Sequence, residues 1–591
     1  MEIKSKRGNK AKGSKNAKLD PKKRKAKQLS GDATHDDSSK KRKLMPSNQT
    51  KETTTSNPDE TKTNINSLPF KERRKMRKEM KDNSKVITKA KSLWESIRMH
   101  NISNEKRSEL IKQLLLLISS IMQDLVMRHD TVRIVQCCLK FGNEEQRREI
   151  CQQLQGSVIT LSQARYSKFL VKKMLKYGTK KQRDEIIKSF YGQVRKLIRH
   201  KEAAEVLETA YNDYANASQR ATLIEEFYGP EFAIFKSSAG RTLNEVIAAE
   251  PNNKTKILKY MHDTLTPLLD RDVIKHTLVH RALLEYFYHA DPKMKFEMIE
   301  AIREALVYIL HTEEGSKVTM RCIWFGTPKD RKVIIKSMKK YVTKICLEEH
   351  GHYAMLAIFD TVDDTVLVRK ALLSEVISNL NEISKNAYGR KVLLYLLSAR
   401  DSRYFHPDVV KNLKEGDGNL HSKKDSSVRS QELQQAISEP LVQFITKNVK
   451  DLILDNSTAI LVIAAVENVN DVNELMKAIA SLANEVLDPD NEQEHIIANQ
   501  SGHFVFKKLI KTNMKEKGTS FSEILLEVVS PPVLRSWIYT NRGSFTLVSL
   551  MESSPVSATK LQQILRDVKQ EIKQQSTAGC SILSKLLSKK T

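Results

Sequence analysis

The sequence predicts an all-α protein in which short helical repeats stack into a solenoid behind a basic tail. Three observations lead to this prediction. Amphipathic helices follow one another closely from about residue 100, a similar segment recurs after 36 residues, and only 19 glycines and 15 prolines interrupt the 591 residues. Each pair of helices can bury its apolar faces only against its neighbours, so the pairs must form a continuous array.

The N-terminal tail, residues 1–70, is predicted to be disordered. Residues 1–100 carry 29 Lys and Arg against 12 Asp and Glu, and apolar residues are too rare there to offset the entropy of ordering. Two basic clusters resemble nuclear or nucleolar import signals: Lys22, Lys23, Arg24 and Lys25, and Lys40, Lys41, Arg42 and Lys43. The alternative is a tail that only adds solubility or adheres to RNA.

A basic helix is predicted over residues 71–98, between the tail and the array. Charges alternate at good helix-forming positions from Lys71 to Lys78. An apolar face follows, supplied by Ile87, Leu93, Trp94 and Ile97.

The repeat is most visible where one helix ends and the next begins. Residues 139–147 and 175–183 agree at five of nine positions, among them Gly142 and Gly178 and the Gln-Arg pair that follows each. A third copy runs from Cys322 to Ile334. We expect the first helix of each unit to end in a left-handed glycine, with a polar turn and a second helix after it.

The 36-residue phase places further copies of the first helix along residues 99–591. They are expected at Thr131–Leu139, Ser167–Leu175, Ala203–Tyr211, Ala239–Ile247, Val279–Phe287, Gly315–Ile323, Gly351–Phe359, Gly389–Leu397, Ser457–Ala465, Gly502–Ile510, Gly543–Met551 and Gly579–Leu587. An inserted region, residues 401–440, is predicted to divide an N-terminal array (99–400) from C-terminal repeats (441–591). Lys414–Glu432 and the acidic stretch Asp488–Glu494 are predicted surface loops.

Several functional classes lack support in the sequence. The six cysteines are scattered without a C-x-x-C pair, which argues against a disulfide scaffold or a zinc site. No phosphate loop, metal cluster or spaced carboxylate pair indicates catalysis, so neither an enzyme nor a cofactor is expected. Apolar runs are far too short to cross a membrane, and we expect a soluble, intracellular protein.

The net charge of +29 favours a polyanionic partner, with nucleic acid first. Residues 165–201 contain 13 Lys and Arg against only Asp184 and Glu185. Lys168, Lys172 and Lys176 would form one self-repelling helix stripe that a phosphate backbone could neutralise. A second basic region, 315–344, includes Lys317 and Arg321, four residues apart.

This 36-residue unit resembles the Pumilio (PUF) repeat. One of its helices begins with glycine, any residue, and then arginine, lysine, phenylalanine or tyrosine. In that family each repeat recognises one base with three side chains on its inner helix. The corresponding positions here lack the side-chain pairs that such recognition uses: Val132, Arg133 and Gln136; Lys168, Phe169 and Lys172; Ala204, Glu205 and Glu208; Gly240, Arg241 and Asn244; His280, Arg281 and Leu284; Ser316, Lys317 and Met320; His352, Tyr353 and Leu356; Arg390, Lys391 and Leu394. We therefore expect binding without a linear base code.

Several stretches, including residues 388–397 and the segment Gly416–Asp425, resemble the divergent Puf-A (Penguin) branch of the family. The segment Gly416–Asp425 is expected to be a surface loop, with no packing reason for its residues to match. The resemblance implies a right-handed, L-shaped superhelix of about eleven repeats. It also implies a nucleolar protein that binds RNA or DNA with little sequence preference, in large-subunit assembly and pre-rRNA processing. We expect a monomer whose partners are RNA, either pre-rRNA or mRNA, and double-stranded DNA. Pre-60S proteins and an import receptor are the implied partners.

These expectations give the following candidate nucleic-acid contacts: Arg133, Gln136, Arg165, Lys168, Phe169, Lys172, Lys173, Lys176, Arg241, Arg281, Lys317, Arg321, Tyr353, Arg390 and Lys391. Two other functions stay open. One is sequence-selective repression of mRNA translation, to which fungal members of the branch are linked. The other is an importin-like solenoid that binds proteins.

Overall fold

The computed structural model describes residue 71 and residues 83–235, 240–270, 272–485, 495–512 and 520–588. The chain divides into two units, 1–76 and 77–591, and the description below concerns the second. The two import clusters, most of the helix predicted from residue 71 and the acidic loop Asp488–Glu494 lie outside the described residues. Helix Ser84–Arg98 forms the described end of the predicted basic helix.

Every regular element in the described residues is helical. We call the first helix of each repeat its inner helix; in chain order these are Val132–Phe141, Lys168–Tyr177, Ala203–Thr209, Leu243–Ala249, Thr277–His289, Glu313–Phe325, His352–Thr361, Ala387–Leu397, Asn456–Asn468, Gln500–Lys511, Asn541–Ser553 and Ala578–Ser588. Consecutive inner helices pack against each other from the first to the third and from the fifth to the twelfth. Their shared contacts form one side of a continuous core, to which the outer helices also contribute buried residues such as Ile150 and Ile186.

The outer helices complete the repeats on the other side of this core. They are Asn104–Ile118, Glu144–Leu154, Lys180–Ser189, Ala217–Glu225, Lys254–Leu265, Pro292–Ile302, Pro328–Met338, Thr365–Val368 with Ser374–Ser378, Ser426–Lys447, Asn473–Ser481, Phe521–Val528 and Pro555–Ile564. Shorter helices link many of them to the next inner helix: Met122–Val126, Val158–Gln163, Val194–Ile198, Pro230–Ile234, Val342–Leu347, Leu380–Lys385, Pro407–Lys414, Val449–Leu454, Pro531–Ser536 and Lys569–Gln574.

The Gln-Arg pair of the repeat joins the two helices of a unit. Asn143 and Gln146 form a capping box, in which each side chain accepts a hydrogen bond from the other residue's backbone N–H. The Arg147 guanidinium then donates to the carbonyl of Leu139, at 2.9 Å, in the last turn of the inner helix. Carbonyls in the last turn of a helix have no hydrogen-bond partner within that helix, so the arginine supplies the donor that the Leu139 carbonyl lacks. Arg183, Arg220 and Arg331 repeat the contact at 2.8, 2.9 and 2.8 Å.

The expectation of left-handed glycines at the ends of inner helices is wrong. Gly142, Gly178 and Gly326 have φ of −67°, −70° and −68° and are extended. The N–H of Gly178 donates to the carbonyl of Met174 at 2.9 Å, and a Cβ at this position would lie 2.5 Å from the same oxygen. Glycine is needed for this close approach and not for its handedness.

The fourth predicted copy does not continue the stack. Helix Leu243–Ala249 begins four residues later than expected. Glu208 of the third inner helix instead accepts hydrogen bonds from the N–H and hydroxyl of Thr277, at 2.9 and 2.8 Å, at the start of the fifth. Gly240, with φ of +68°, packs against the outer helix Ala217–Glu225, so the chain here runs beside that helix.

The region 401–440 is not an inserted loop. It contains helix Pro407–Lys414 and the first two thirds of helix Ser426–Lys447. The segment between them, residues 415–425, is packed, and we call it the strap. Buried Arg331 donates to Asn419 Oδ1 at 2.6 Å and to the Ser422 hydroxyl at 3.0 Å, both in the strap. The strap therefore has a packing reason for its sequence, contrary to the expectation above.

Candidate nucleic-acid interface

The first two inner helices bury one apolar stripe each and present polar side chains on the open side. The buried residues recur at helical spacing: Ile134, Val135, Cys138 and Leu139 on the first, and Leu170, Val171, Met174 and Leu175 on the second. The same spacing leaves Arg133 exposed and Gln136 half-buried on the first helix, and Phe169 and Lys176 exposed on the second. Phe169 is 47% exposed, an unusual position for a large aromatic ring.

A cavity of about 420 Å³, which we call the N-terminal cleft, lies beside this face. Its lining residues are Trp94, Arg98, Arg133, Gln136, Cys137, Lys140, Phe141 and Lys173. Four of these are cations, and none carries a carboxylate. Burial, and to a smaller extent the ammonium groups of Lys140 and Lys176, lower the pKa of Lys173. The cleft therefore combines aromatic surface with positive charge that no lining group balances.

The predicted unbalanced stripe on the second inner helix is wrong at Lys168 and Lys172. The Lys168 ammonium is 2.8 Å from Glu202 Oε2 and also bonds Glu205, while Lys172 lies 2.5 Å from Glu205 Oε1. Burial alone would lower the pKa of Lys168, but the hydrogen bonds to Glu202 and Glu205 raise it. The two acids belong to the next repeat and follow directly after the basic window 165–201, so a count within that window misses them.

Two predicted arginines, Arg321 and Arg390, are engaged in the fold. The Arg321 side chain is only 5% exposed; it lies 2.6 Å from Glu415 of the strap and over the Tyr288 ring at 4.2 Å. Arg390 donates to the carbonyls of Ser384 and Lys385 at 3.1 and 2.9 Å, at the end of a short helix.

Arg241 bonds Glu225 at 3.2 Å and lies beside an outer helix, not on an inner one. The expectation that it occupies an RNA-facing inner-helix position is therefore wrong. Arg281 keeps its inner-helix position, partly exposed, but its guanidinium lies 2.9 Å from Glu285 Oε1. Glu285 also accepts a hydrogen bond from the Tyr228 hydroxyl, so this arginine is already balanced within the fold.

A second polar cavity, of about 220 Å³, brings three predicted residues together. Lys317, Tyr353 and Lys391 line it with Tyr388, which the sequence analysis did not select. The buried His352 ring lies 4.0 Å from Tyr353 and 5.4 Å from Tyr388, centre to centre. Lys317 is paired with Glu313 at 2.6 Å. Tyr388 directly precedes the Gly-Arg-Lys start of its repeat, a signal that could have revealed it.

The positions that would recognise base edges in a PUF protein are closed in three repeats. His280 with Leu284, Ser316 with Met320, and His352 with Leu356 are all at most 3% exposed. Burial raises the cost of charging these imidazoles and lowers the pKa of His280 and His352 to about 3 and about 4. The partner residue at the middle position, Arg281, Lys317 or Tyr353, is the one that reaches the surface.

The described residues form neither a metal-binding cluster nor a membrane-spanning helix. Nowhere in the described ranges do three or more His, Cys, Asp or Glu side chains come together as a metal-binding group. Of the helices that the structure describes, none combines the length and apolar character that a membrane span requires.

Comparisons with known proteins agree on one family. The sequence pattern of the CPL (NUC119) domain matches residues 385–520. Human Pumilio homolog 3 is 41% identical over 538 residues, which cover 90% of this chain and 83% of the human protein. Pumilio homology domain family member 6 of Schizosaccharomyces pombe is 34% identical over 88% of this chain and 82% of its own length.

Solved structures give the same result. The crystal structure of human Puf-A has a TM-score of 0.81 and 42% identity, and covers 85% of this chain and all of that one. Human Puf-A in complex with DNA has the same score and identity, with 86% of this chain covered. The predicted all-helical Pumilio-repeat solenoid is thus confirmed. The chain belongs to the Pumilio homolog 3 (Puf-A) family of Pumilio-repeat proteins.

Proposed function

We propose that this protein binds RNA, and also DNA, with little sequence preference, through the open face of its inner helices. One observation carries the proposal: Arg98, Arg133, Lys140, Lys173 and Lys176 surround the N-terminal cleft and its edge, and none forms an ion pair with a carboxylate of the described residues. Phosphates would supply the missing counter-charge. The structure of human Puf-A in complex with DNA supports a nucleic-acid partner.

Weak sequence preference follows from the closed base-edge positions. A side chain that discriminates bases must present donors or acceptors to the base edge. Leu284, Met320 and Leu356 have none, and all three are buried. The partly exposed side chains at the middle positions of the same repeats, Arg281, Lys317 and Tyr353, are cations and an aromatic ring, which contact phosphate or stack on any base.

The proposed contacts are the candidates that the structure leaves accessible: Arg133, Gln136, Arg165, Phe169, Lys173, Lys176, Lys317, Tyr353 and Lys391. Lys317 would first have to exchange the Glu313 carboxylate for a phosphate, and the same exchange would be needed for Lys168, Lys172 and Arg281 to join these contacts. We assign Arg241, Arg321 and Arg390 to the fold.

Within the cell, the proposed role is that of a non-enzymatic scaffold in the nucleolus. It acts in biogenesis of the large (60S) ribosomal subunit and in pre-rRNA processing, and contacts pre-60S proteins. Membership of the Puf-A family supports this role, and the two basic clusters of the tail support transport by an import receptor. Crosslinking of bound RNA in cells would test it: pre-rRNA should dominate the recovered sequences, and enrichment of one mRNA motif would contradict the proposal.

A binding titration tests the biochemical proposal directly. Fluorescence anisotropy of labelled single-stranded RNA, measured from 50 to 400 mM salt, should give a straight line of log affinity against log salt. Five phosphate contacts predict a slope of about −3.5 for a single strand. Scrambled and homopolymeric RNAs of equal length should bind within a few fold of each other. A defined motif that binds orders of magnitude more tightly at the same salt would refute the proposal.

A further inference from the structure

The N-terminal cleft differs from the rest of the open face in how its cations are arranged. The Arg98 guanidinium lies over the Trp94 ring at 4.8 Å, and the Lys140 ammonium lies over the Phe141 ring at 4.6 Å. Arg133 and Lys173 complete the lining. Each aromatic wall thus carries a cation, and the lining residues come from three helices that are consecutive in the stack, Ser84–Arg98, Val132–Phe141 and Lys168–Tyr177.

The positive charge of the cleft has no balancing carboxylate, unlike the charge of three other cations of the open face. Lys168, Arg281 and Lys317 each bond a glutamate. In the described residues no such pair forms at any of the four cleft cations, and the lowered pKa of Lys173 shows that charging it there is costly. An anion that enters the cleft would offset this cost, which comes mainly from burial, since opposite charge favours the protonated lysine.

The volume and the aromatic walls point to more than an inorganic anion. A cavity of about 420 Å³ lies within the range of about 300–1,000 Å³ that small-molecule sites occupy. Trp94 is half-buried, with its indole close to the Cys137 thiol, and so presents a fixed edge and face. Bases of single strands stack on aromatic rings and on guanidinium planes, whereas bases in a duplex are already stacked on each other.

We propose that the N-terminal cleft seats one unpaired nucleotide of a single strand. Its base stacks on the Trp94 and Arg98 pair, and its phosphates lie among Arg133, Lys140 and Lys173. This inference rests on the proposed nucleic-acid binding. It adds a preference for single strands over duplexes and places helix Ser84–Arg98, which precedes the first inner helix, within the interface.

Tryptophan emission tests the inference, because the chain has three tryptophans and two of them are fully buried. Trp324 and Trp537 are 1% and 0% exposed, which leaves Trp94 as the tryptophan that a ligand can contact. Titration of the full chain with oligouridylate should quench emission at the same concentrations at which anisotropy reports binding. A blunt duplex of equal charge should bind without quenching. Trp94→Phe should abolish the quenching and keep the binding.

Affinity provides a second readout. Trp94→Ala should weaken binding of the single strand by about 5- to 160-fold and leave the duplex unchanged. Lys173→Glu should weaken both, whereas Lys112→Glu, an equal charge change at an exposed lysine outside the cleft, should have a much smaller effect. If single strands bind with no change in Trp94 emission, or duplexes quench equally, the inference is overturned while nucleic-acid binding stands. If neither ligand binds, the proposed function itself fails.

Discussion

Removal of the Glu205 carboxylate should make this protein bind RNA more tightly. Glu205 holds the ammonium groups of both Lys168 and Lys172, and these lysines lie on the same inner helix as Phe169 and Lys176. The change Glu205→Gln keeps the side-chain volume and removes the negative charge that neutralises Lys172, while Lys168 retains Glu202 at 2.8 Å. The carboxylate is about half exposed, so its loss should cost the fold at most about 1 kcal/mol.

The magnitude follows from counterion release. Two lysines add up to two phosphate contacts, which would steepen the slope of log affinity against log salt by about 1.4 for a single strand. With about 1 M salt as the reference at which this contribution vanishes, the gain at 0.1 M is at most about 25-fold. If only Lys172 engages, the slope changes by about 0.7 and the gain is about 5-fold.

The assay is the same anisotropy titration, run at five salt concentrations on the parent chain, Glu205→Gln and a control. Glu297→Gln is the matched control, because it makes the same change at an exposed position on an outer helix. It should leave the slope unaltered. An unchanged slope and affinity for Glu205→Gln, with an unchanged melting temperature, would show that nucleic acid does not reach the second inner helix at these lysines.

Three further predictions concern the fold. The pKa of buried His352 is lowered to about 4, so the neutral imidazole stabilises the fold fully above pH 6.5, and this stabilisation is lost as pH falls toward 4. At pH 5 the loss is about 2 kcal/mol. The melting temperature of His352→Gln should therefore fall less between pH 7 and pH 5 than that of the parent protein. Arg331→Met should lower the free energy of unfolding by about 3 kcal/mol and make the strap susceptible to limited proteolysis. Arg147→Met, at the same repeat position without a strap, should lower it clearly less. Equal losses for the two variants would refute the role of the strap. Gly178→Ala should lower the melting temperature because its Cβ would meet a backbone oxygen at 2.5 Å, and Gly156→Ala, with open space around it, should not.

The helical stack was predictable because the sequence features that specify it lie within each repeat, close together along the chain. Apolar spacing of 3.6 residues and a recurring Gly and Gln-Arg pair placed eleven of the twelve inner helices on helical residues throughout their predicted length or nearly so. The prediction for Ala239–Ile247 was wrong because the 36-residue phase cannot show that Glu208 of the third inner helix bonds Thr277 at the start of the fifth. This contact joins the third and fifth inner helices and leaves the fourth outside the stack. That contact joins residues 69 positions apart, and no periodicity encodes it.

The site was less predictable for the same reason. A charge count along the chain cannot tell that Glu205 will lie beside Lys172 or that Glu415 will cover Arg321. Arg133 and Lys173 could be selected because each has a polar position on an amphipathic helix. Arg98 and Trp94 could not be assigned to a cleft, since their helix precedes the repeats and its packing partner is not evident from the repeat pattern.

The strap should change the way in which this protein unfolds. In an ideal repeat protein each unit touches only its neighbours, so unfolding can begin anywhere and spread one unit at a time. Here Arg331 bonds Asn419 and Ser422 about ninety positions further along the chain, and Gly416 rests on the Trp324 ring. The sixth to eighth units are consequently tied to the segment after them, and we expect this block to melt as one cooperative body while the units at either end fray separately.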